Sequence, residues 1–290
     1  MIDIQSKELR PKDFIVPMSS DVGFKGALKT QEKFFTKLVS ELTGIPENKI
    51  IGGKFIDNET INRSDTEPHR KVDLIFRKDN YLINLEANNT GSPKTILQRD
   101  TEYIFRIELN DTLKGNNIKS EVNYYQININ NIKFEFDKEL INRYEMRDIE
   151  TNELHPYTPI IIDIALYKLS DKEYTKDVDE WLIKALKLFN ARSEEEYKKI
   201  VGNDKILGGV QKFMSEYSRI PEVVGEYDAE EEAKWMKKLD ERHAKEEGMV
   251  EGIQKNKLKT AKNMLKDKLD IKLISRYTGL TEEEIKSLKL

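Results

Sequence analysis

Apolar positions along the chain recur with two periods. Val72, Leu74 and Phe76 alternate with Asp73, Ile75 and Arg77, and Tyr81, Ile83, Leu85 and Ala87 alternate with Leu82, Asn84 and Glu86, the period of two expected of strands. Asp79 and Asn80 between the runs suit a two-residue turn, which predicts a hairpin with Lys78 facing Tyr81, Phe76 facing Ile83 and Leu74 facing Leu85. A short strand is expected over Ile50–Ile56, then a polar loop, DNETINRSDTEPH, that carries His69. Glu121–Phe136 alternates again, with Tyr125, Ile127 and Ile129 against Gln126, Asn128 and Asn130, and Pro159–Leu166 is apolar enough for a covered strand. Helical spacing holds at Phe34, Phe35, Leu38, Val39 and Leu42, after a cap at Ser20 or Asp21 and before Gly44 and Pro46. It holds again in Lys94–Leu113, where Leu97, Ile104 and Ile107 are apolar and Arg99 and Tyr103 stand one turn apart.

From Asp177 onward the pattern is helical, with segments at Trp181–Phe189, Glu194–Val201 and Asp204–Tyr217 that end at Pro221. Ala229–Glu247 reads as a very charged helix that buries little, and Gly248 and Gly252 as a hinge or frayed end. Leu258, Ala261, Leu265 and Leu269 then stripe a basic helix, followed by Ile271–Tyr277, a Thr278-Gly279 turn, and Thr281 with Glu284 at capping-box distance. The whole predicts an α/β chain: a core over 1–170, a helical part packed on it over 171–228, and a charged helix with a helix-turn-helix-like tail over 229–290.

Composition narrows the chemistry. The 290 residues include no cysteine, which excludes disulfides, thiolate metal sites and a cysteine nucleophile. His69, His155 and His243 are far apart in sequence, so carboxylates must carry any metal chemistry. Charged residues make up 35% of the chain, and neither a secretion signal nor a membrane-spanning stretch is indicated; a cytoplasmic location is expected. The net charge of −4 argues against wholesale coating of nucleic acid, but its distribution is uneven. Acids dominate between Glu222 and Glu241, whereas Lys255–Arg276 is basic.

The predicted register sets Asp73 opposite Glu86. Two facing carboxylates repel each other unless a cation or a proton lies between them, and a hard divalent ion with oxygen ligands, Mg²⁺ or Mn²⁺, would resolve the conflict. The competing reading is a pair of acids on the solvated face of a hairpin.

Four stretches and a C-terminal tail carry a resemblance to the PD-(D/E)xK nuclease superfamily and, within it, to the Rpn-like, transposase-associated recombination-promoting nucleases. MSSDVGFKGAL is similar to an opening motif of an acid shortly before Phe-Lys, here Asp21, Phe24 and Lys25. VDLIF and LINLEAN are similar to the strands that bear the two metal-binding acids, here Asp73 and Glu86. RDTEY matches an arginine and a tyrosine four apart, here Arg99 and Tyr103, and the tail AKNMLKDKLDIKLISRYTGLTEEEIKSL is similar to the end of such chains. The resemblance implies a restriction-endonuclease-like central mixed sheet flanked by helices, with a helical C-terminal extension, cleaving DNA with Mg²⁺ or Mn²⁺ held by Asp73 and Glu86. Where most of the superfamily has lysine, this chain has Asn88, whose amide positions water or phosphate but brings no charge. Lys25, Arg99 or Lys94 are the candidates to compensate. Asp21 and Lys25, one turn apart, also fit an ordinary ion pair, and Arg99 and Tyr103 an amphipathic surface. Two functions follow: a DNA endonuclease linked to recombination or mobile elements, or a catalytically degenerate nuclease fold that binds DNA or protein. The last predicted helix begins with three glutamates, a poor match to a polyanion, which favours an interaction tail, and a homo-oligomer through the C-terminal helices, over a DNA reader.

Overall fold

Ser20 opens the first ordered helix because its backbone is extended and its Oγ accepts from the N–H of Gly23. Helix α1 (Asp21–Thr30) is followed at once by α2 (Glu32–Thr43), which stops at Gly44 in a left-handed conformation (φ 76°). The structure, a computed structural model, describes residues 11–56, 72–114, 122–155 and 158–288. The loop DNETINRSDTEPH and its His69 lie outside them.

A six-stranded mixed sheet comes next, built from β1 (Lys54–Ile56), β2 (Leu74–Lys78), β3 (Tyr81–Asn88), β4 (Asn123–Asn130), β5 (Ile141–Tyr144) and β6 (Ile160–Ala165), with α3 (Pro93–Lys114) crossing between β3 and β4. Its strand order is β1-β2-β3-β4-β6-β5. The β2–β3 hairpin has the expected register, Leu74 with Leu85, Phe76 with Ile83 and Lys78 with Tyr81. At its turn, Asp79 takes a positive φ of 49°, tolerated by a short polar side chain. Pairs β3–β4 and β4–β6 are parallel and the rest antiparallel. The strand expected over Ile50–Ile56 is shortened to its last three residues, its start being taken up by turn residues that follow a 3₁₀ turn at Glu47–Lys49. Strand β5 was not anticipated, since INRY is short and lacks an apolar alternation.

The two faces of the sheet are covered differently. Leu74, Phe76, Ile83, Leu85, Ile127, Ile129, Ile162 and Ile164 pack into one core with Phe24 of α1, Phe35 and Leu38 of α2, and residues of four further helices, α4 (Lys172–Thr175), α5 (Glu180–Leu188), α6 (Glu194–Val201) and α7 (Lys205–Tyr217). On the other face Ile75, Leu82 and Tyr124 meet Tyr103, Ile104 and Ile107 of α3 in a smaller cluster. This second cluster fills only part of that face; the polar side chains described below fill the remainder.

Helix α8 (Pro221–Lys266) starts with proline at its first position, where no N–H is needed, and continues without a break through Gly248 and Gly252. The hinge expected there is absent: two glycines cost about 1 kcal/mol each, which the surrounding helix formers outweigh. The chain divides into two compact units, residues 1–230 and 231–290. In the second, the end of α8 packs with α9 (Ile271–Thr278) and α10 (Glu282–Ser287) around Ala261, Ile274, Leu280 and Ile285. Thr281 and Glu284 make the predicted capping box. No helix among the described residues is long and apolar enough to cross a membrane.

Candidate active site

Because β3, β4 and β6 run parallel and in register, residues two apart on each strand line up across the sheet. Glu86 lies beside Asn128 and Asn128 beside Asp163; Asn84 pairs with Gln126 and Asn88 with Asn130. All seven point to the α3 face, and all are buried. Asn84 Nδ2 donates to Gln126 Oε1 (2.8 Å) and to Glu86 Oε1 (3.2 Å), Gln126 Nε2 to Asn128 Oδ1 (2.6 Å), and Asn128 Nδ2 to Asp163 Oδ1 (2.7 Å). Asn88 Nδ2 reaches both Asn130 Oδ1 (2.8 Å) and Asp100 Oδ2 (2.7 Å). One acceptor in this lattice, Asn84 Oδ1, is buried with no partner.

Asp73 sits just ahead of β2, beside Glu86 as the register requires. Its N–H donates to Glu86 Oε1 (3.2 Å), and its own Oδ2 accepts from the N–H of Ala87 (2.8 Å). Glu86 is 2% exposed, so its carboxyl does not lie on a solvated face. Burial, then the charge of Asp21, pushes Asp73 up to about 6 against the opposing hydrogen bond from Ala87 and the charges of Lys25 and Arg99. Burial, then Asp73 and Asp100, holds Glu86 well above the ordinary carboxylate range. Two acids share a space that disfavours two negative charges.

Helix α1 brings Lys25 to this pair. Its entry is fixed by hydrogen bonds from the N–H groups of Asp21 and Val22 to Glu230 (3.0 and 2.9 Å), and Asn89 at the end of β3 donates to Ser19 O. Lys25 pairs with Asp21 at 2.5 Å. Burial alone would pull its ammonium down, but Asp21, then Asp73 and Glu86, hold it above its ordinary value. The Asp21–Lys25 pair is therefore intrahelical and also close enough to the two acids to share their field.

Helix α3 brings Arg99. Its Nε and Nη2 both donate to Asp100 Oδ1 (3.0 and 2.9 Å), and Nη2 also donates to Asn88 Oδ1. The guanidinium lies over the Tyr103 ring, 5.5 Å from its centroid. Burial opposes its charge, but Asp100 and Glu86 outweigh that and raise Arg99 further. Asp100 itself, 3% exposed, is raised by burial against Arg99 and Asn88. Asn88 is thus the link between β3 and a fixed cation. Tyr103 packs in the α3 cluster, supporting the guanidinium from below, while Lys94 is exposed in the first turn of α3.

Every candidate from the sequence except Lys94 is gathered at one end of β3. Asp100 was missed, as were Asn84, the amides of β4 and Asp163. A signal for the strand residues was present: NLEAN and QININ each put polar residues at alternate positions, IIID ends on one, and parallel pairing superimposes those positions. Among the described residues, no group of three or more histidines, aspartates or glutamates is arranged to hold a metal ion. The donors at hand for a cation are two carboxylates, Asp73 and Glu86. They are hard oxygen ligands of the kind Mg²⁺ and Mn²⁺ take, and a dication would remove the repulsion that raises both. On that chemistry they fit.

No curated protein and no solved structure matches the chain. Residues 254–290 match the family model for the C-terminal helix-turn-helix domain of the Rpn/YhgA-like nuclease family. A helix-turn-helix domain points to DNA binding, against the interaction tail favoured from its three glutamates. The match supports the Rpn-like kinship of this chain and, with it, a nuclease-related role.

Proposed function

We propose that the protein is a divalent-metal-dependent DNA endonuclease on a restriction-endonuclease-like, PD-(D/E)xK-type core. The observation that carries this reading is the meeting of Asp73 and Glu86 with Arg99 and Lys25 at the end of β3. Asp73 and Glu86 would hold Mg²⁺ or Mn²⁺. Such a cation, when bound, polarises a phosphodiester and lowers the pKa of a coordinated water. The protein's own groups do the rest. Arg99, braced by Asp100 and Asn88, offers a fixed guanidinium to a phosphate oxygen. Lys25, kept protonated by three acids, offers a second positive charge to the developing negative charge on phosphorus-bound oxygens. Asn88 orients the guanidinium, whose charge stands in for the one the amide lacks.

A second reading, a degenerate site on a binding protein, draws on the number of acidic donors, two where a third is absent among the described residues. One experiment separates the two. Wild-type protein is expected to nick supercoiled plasmid with Mg²⁺ or Mn²⁺ and not with EDTA, and Asp73→Ala to lower the rate by about two orders of magnitude or more. Equal cutting by the variant, or none by the wild type with either ion, sinks the endonuclease reading. A role in recombination or with mobile elements belongs to the same proposal and rests on the resemblance alone.

A further inference from the structure

Several helical lysines and arginines in this chain have an acid one turn before them. Lys25 pairs with Asp21, Arg106 with Glu102, Lys184 with Glu180, Lys199 with Glu195 and Lys286 with Glu282, all at i, i+4 spacing. The last two turns of α8 differ. Lys259, Lys262 and Lys266 recur at i, i+3 and i+7, which places them within about 60° of one another in a row about 10 Å long. All three are exposed. Positions three and four away from Lys259 hold Lys255, Asn256, Lys262 and Asn263, and those around Lys262 hold Leu258, Lys259, Leu265 and Lys266. Stacked like charges are unfavourable on an isolated helix. Asp270, beyond the end of α8, is occupied in capping α9, where it accepts from the N–H groups of Lys272 and Leu273 (2.9 and 3.4 Å).

We infer that this lysine row is the surface through which the C-terminal unit grips the phosphate backbone of duplex DNA, and that α10 is not the DNA-contacting helix. The inference rests on the DNA-directed reading above and adds where the contact lies. A row of cations at intervals of one turn follows a polyanion, and each lysine that neutralises a phosphate releases a counterion. Helix α10, by contrast, presents Glu282, Glu283 and Glu284 in its first turn, and Glu284 is already engaged with Thr281 N–H (2.7 Å). Three carboxylates at the end of a helix that would enter a groove repel the phosphates on either side. A lipid surface fits less well. The apolar side of the same stretch, Leu258, Ala261, Met264 and Leu265, is used inside the unit against Ile274, Leu280 and Ile285 and is not available to insert.

The test uses the full chain in EDTA, so that binding is read without cleavage, and a fluorescent duplex of about 30 bp and arbitrary sequence, followed by anisotropy from about 50 to 300 mM NaCl. Lys259→Gln/Lys262→Gln/Lys266→Gln is expected to weaken binding about tenfold or more at about 0.1 M salt and to reduce the slope of log K against log salt by about 2 to 3. The triple Lys→Arg variant should bind like wild type, and Glu282→Gln/Glu283→Gln should bind as well or better. A triple glutamine variant within twofold of wild type, with an unchanged slope, overturns the proposal. So does loss of binding in Glu282→Gln/Glu283→Gln, or a wild type that binds phosphatidylserine vesicles through the row and not the duplex. Failure of plasmid nicking leaves this result standing, so the two readings fail separately.

Discussion

Asn88 is neutral where the endonuclease reading calls for a cation, and a charge lies beside it in the structure. Its Oδ1 accepts from Arg99, and its Nδ2 donates to Asp100, which takes two further hydrogen bonds from the same guanidinium. The amide binds both members of a directly paired Asp–Arg couple, and the positive charge stands beside it on α3. Lysine in place of Arg99 keeps a charge but not the planar fork that meets Asp100 with two N–H groups while reaching Asn88. On the endonuclease reading, Arg99→Lys should slow single-turnover cleavage about tenfold and Arg99→Gln by about two orders of magnitude or more. Stabilisation by the metal should survive in both, because Arg99 is not among the proposed ligands. Wild-type cleavage by Arg99→Gln would remove the arginine from the mechanism and return the question to Lys25.

Strands β3, β4 and β6 act together through the amide and carboxyl ladder on their α3 face. Asn128 is its hinge point, accepting from Gln126 and donating to Asp163 with both partners buried. Asn128→Leu would strand a donor and a carboxylate at once, so unfolding by urea should show a loss of about 2–4 kcal/mol. Asp163→Asn keeps an acceptor for Asn128 and should cost far less; a leucine variant within 0.5 kcal/mol of wild type, roughly the noise of a surface change, would show that water replaces these contacts. The hairpin was legible in the sequence because turn chemistry and alternation together fix a register to the residue. The ladder was not, since alternation separates two faces without saying which is covered. Gln126, Asn128 and Asn130 look like solvated positions until α3 is laid over them and parallel pairing puts them beside Glu86 and Asn88. The unbroken α8 was missed for a different reason: a glycine marks a local cost, and only the total over a long helix tells whether the cost is met.

At the scale of the whole molecule, the site costs the fold stability in a way that depends on pH. Asp73 and Asp163 are each raised to about 6, Glu86 is raised well above its ordinary value and Asp100 is raised too, with burial the largest cause in every case. A carboxyl whose pKa is higher in the folded state binds its proton more tightly there. Its contribution is fully present below the unfolded-state pKa near 4 and is lost as pH rises through the folded-state value. Exposed acids with lowered values, Asp148, Glu195 and Glu284, act in the opposite sense but lie at the surface, where solvent screens them. Without metal, the melting temperature should therefore fall between about pH 5 and pH 8, with Asp73 alone contributing on the order of 1–2 kcal/mol to the drop. A divalent cation held by Asp73 and Glu86 binds only the ionised folded pair, so Mg²⁺ or Mn²⁺ should restore several degrees at pH 8 and little at pH 5. Asp73→Asn should melt higher than wild type at pH 8 without metal, show a shallower fall with pH, and gain nothing from the ion. A wild-type melting temperature that is flat across this range would mean that the two carboxyls are not strained by burial, and an equal metal effect in Asp73→Asn would mean that no cation joins them.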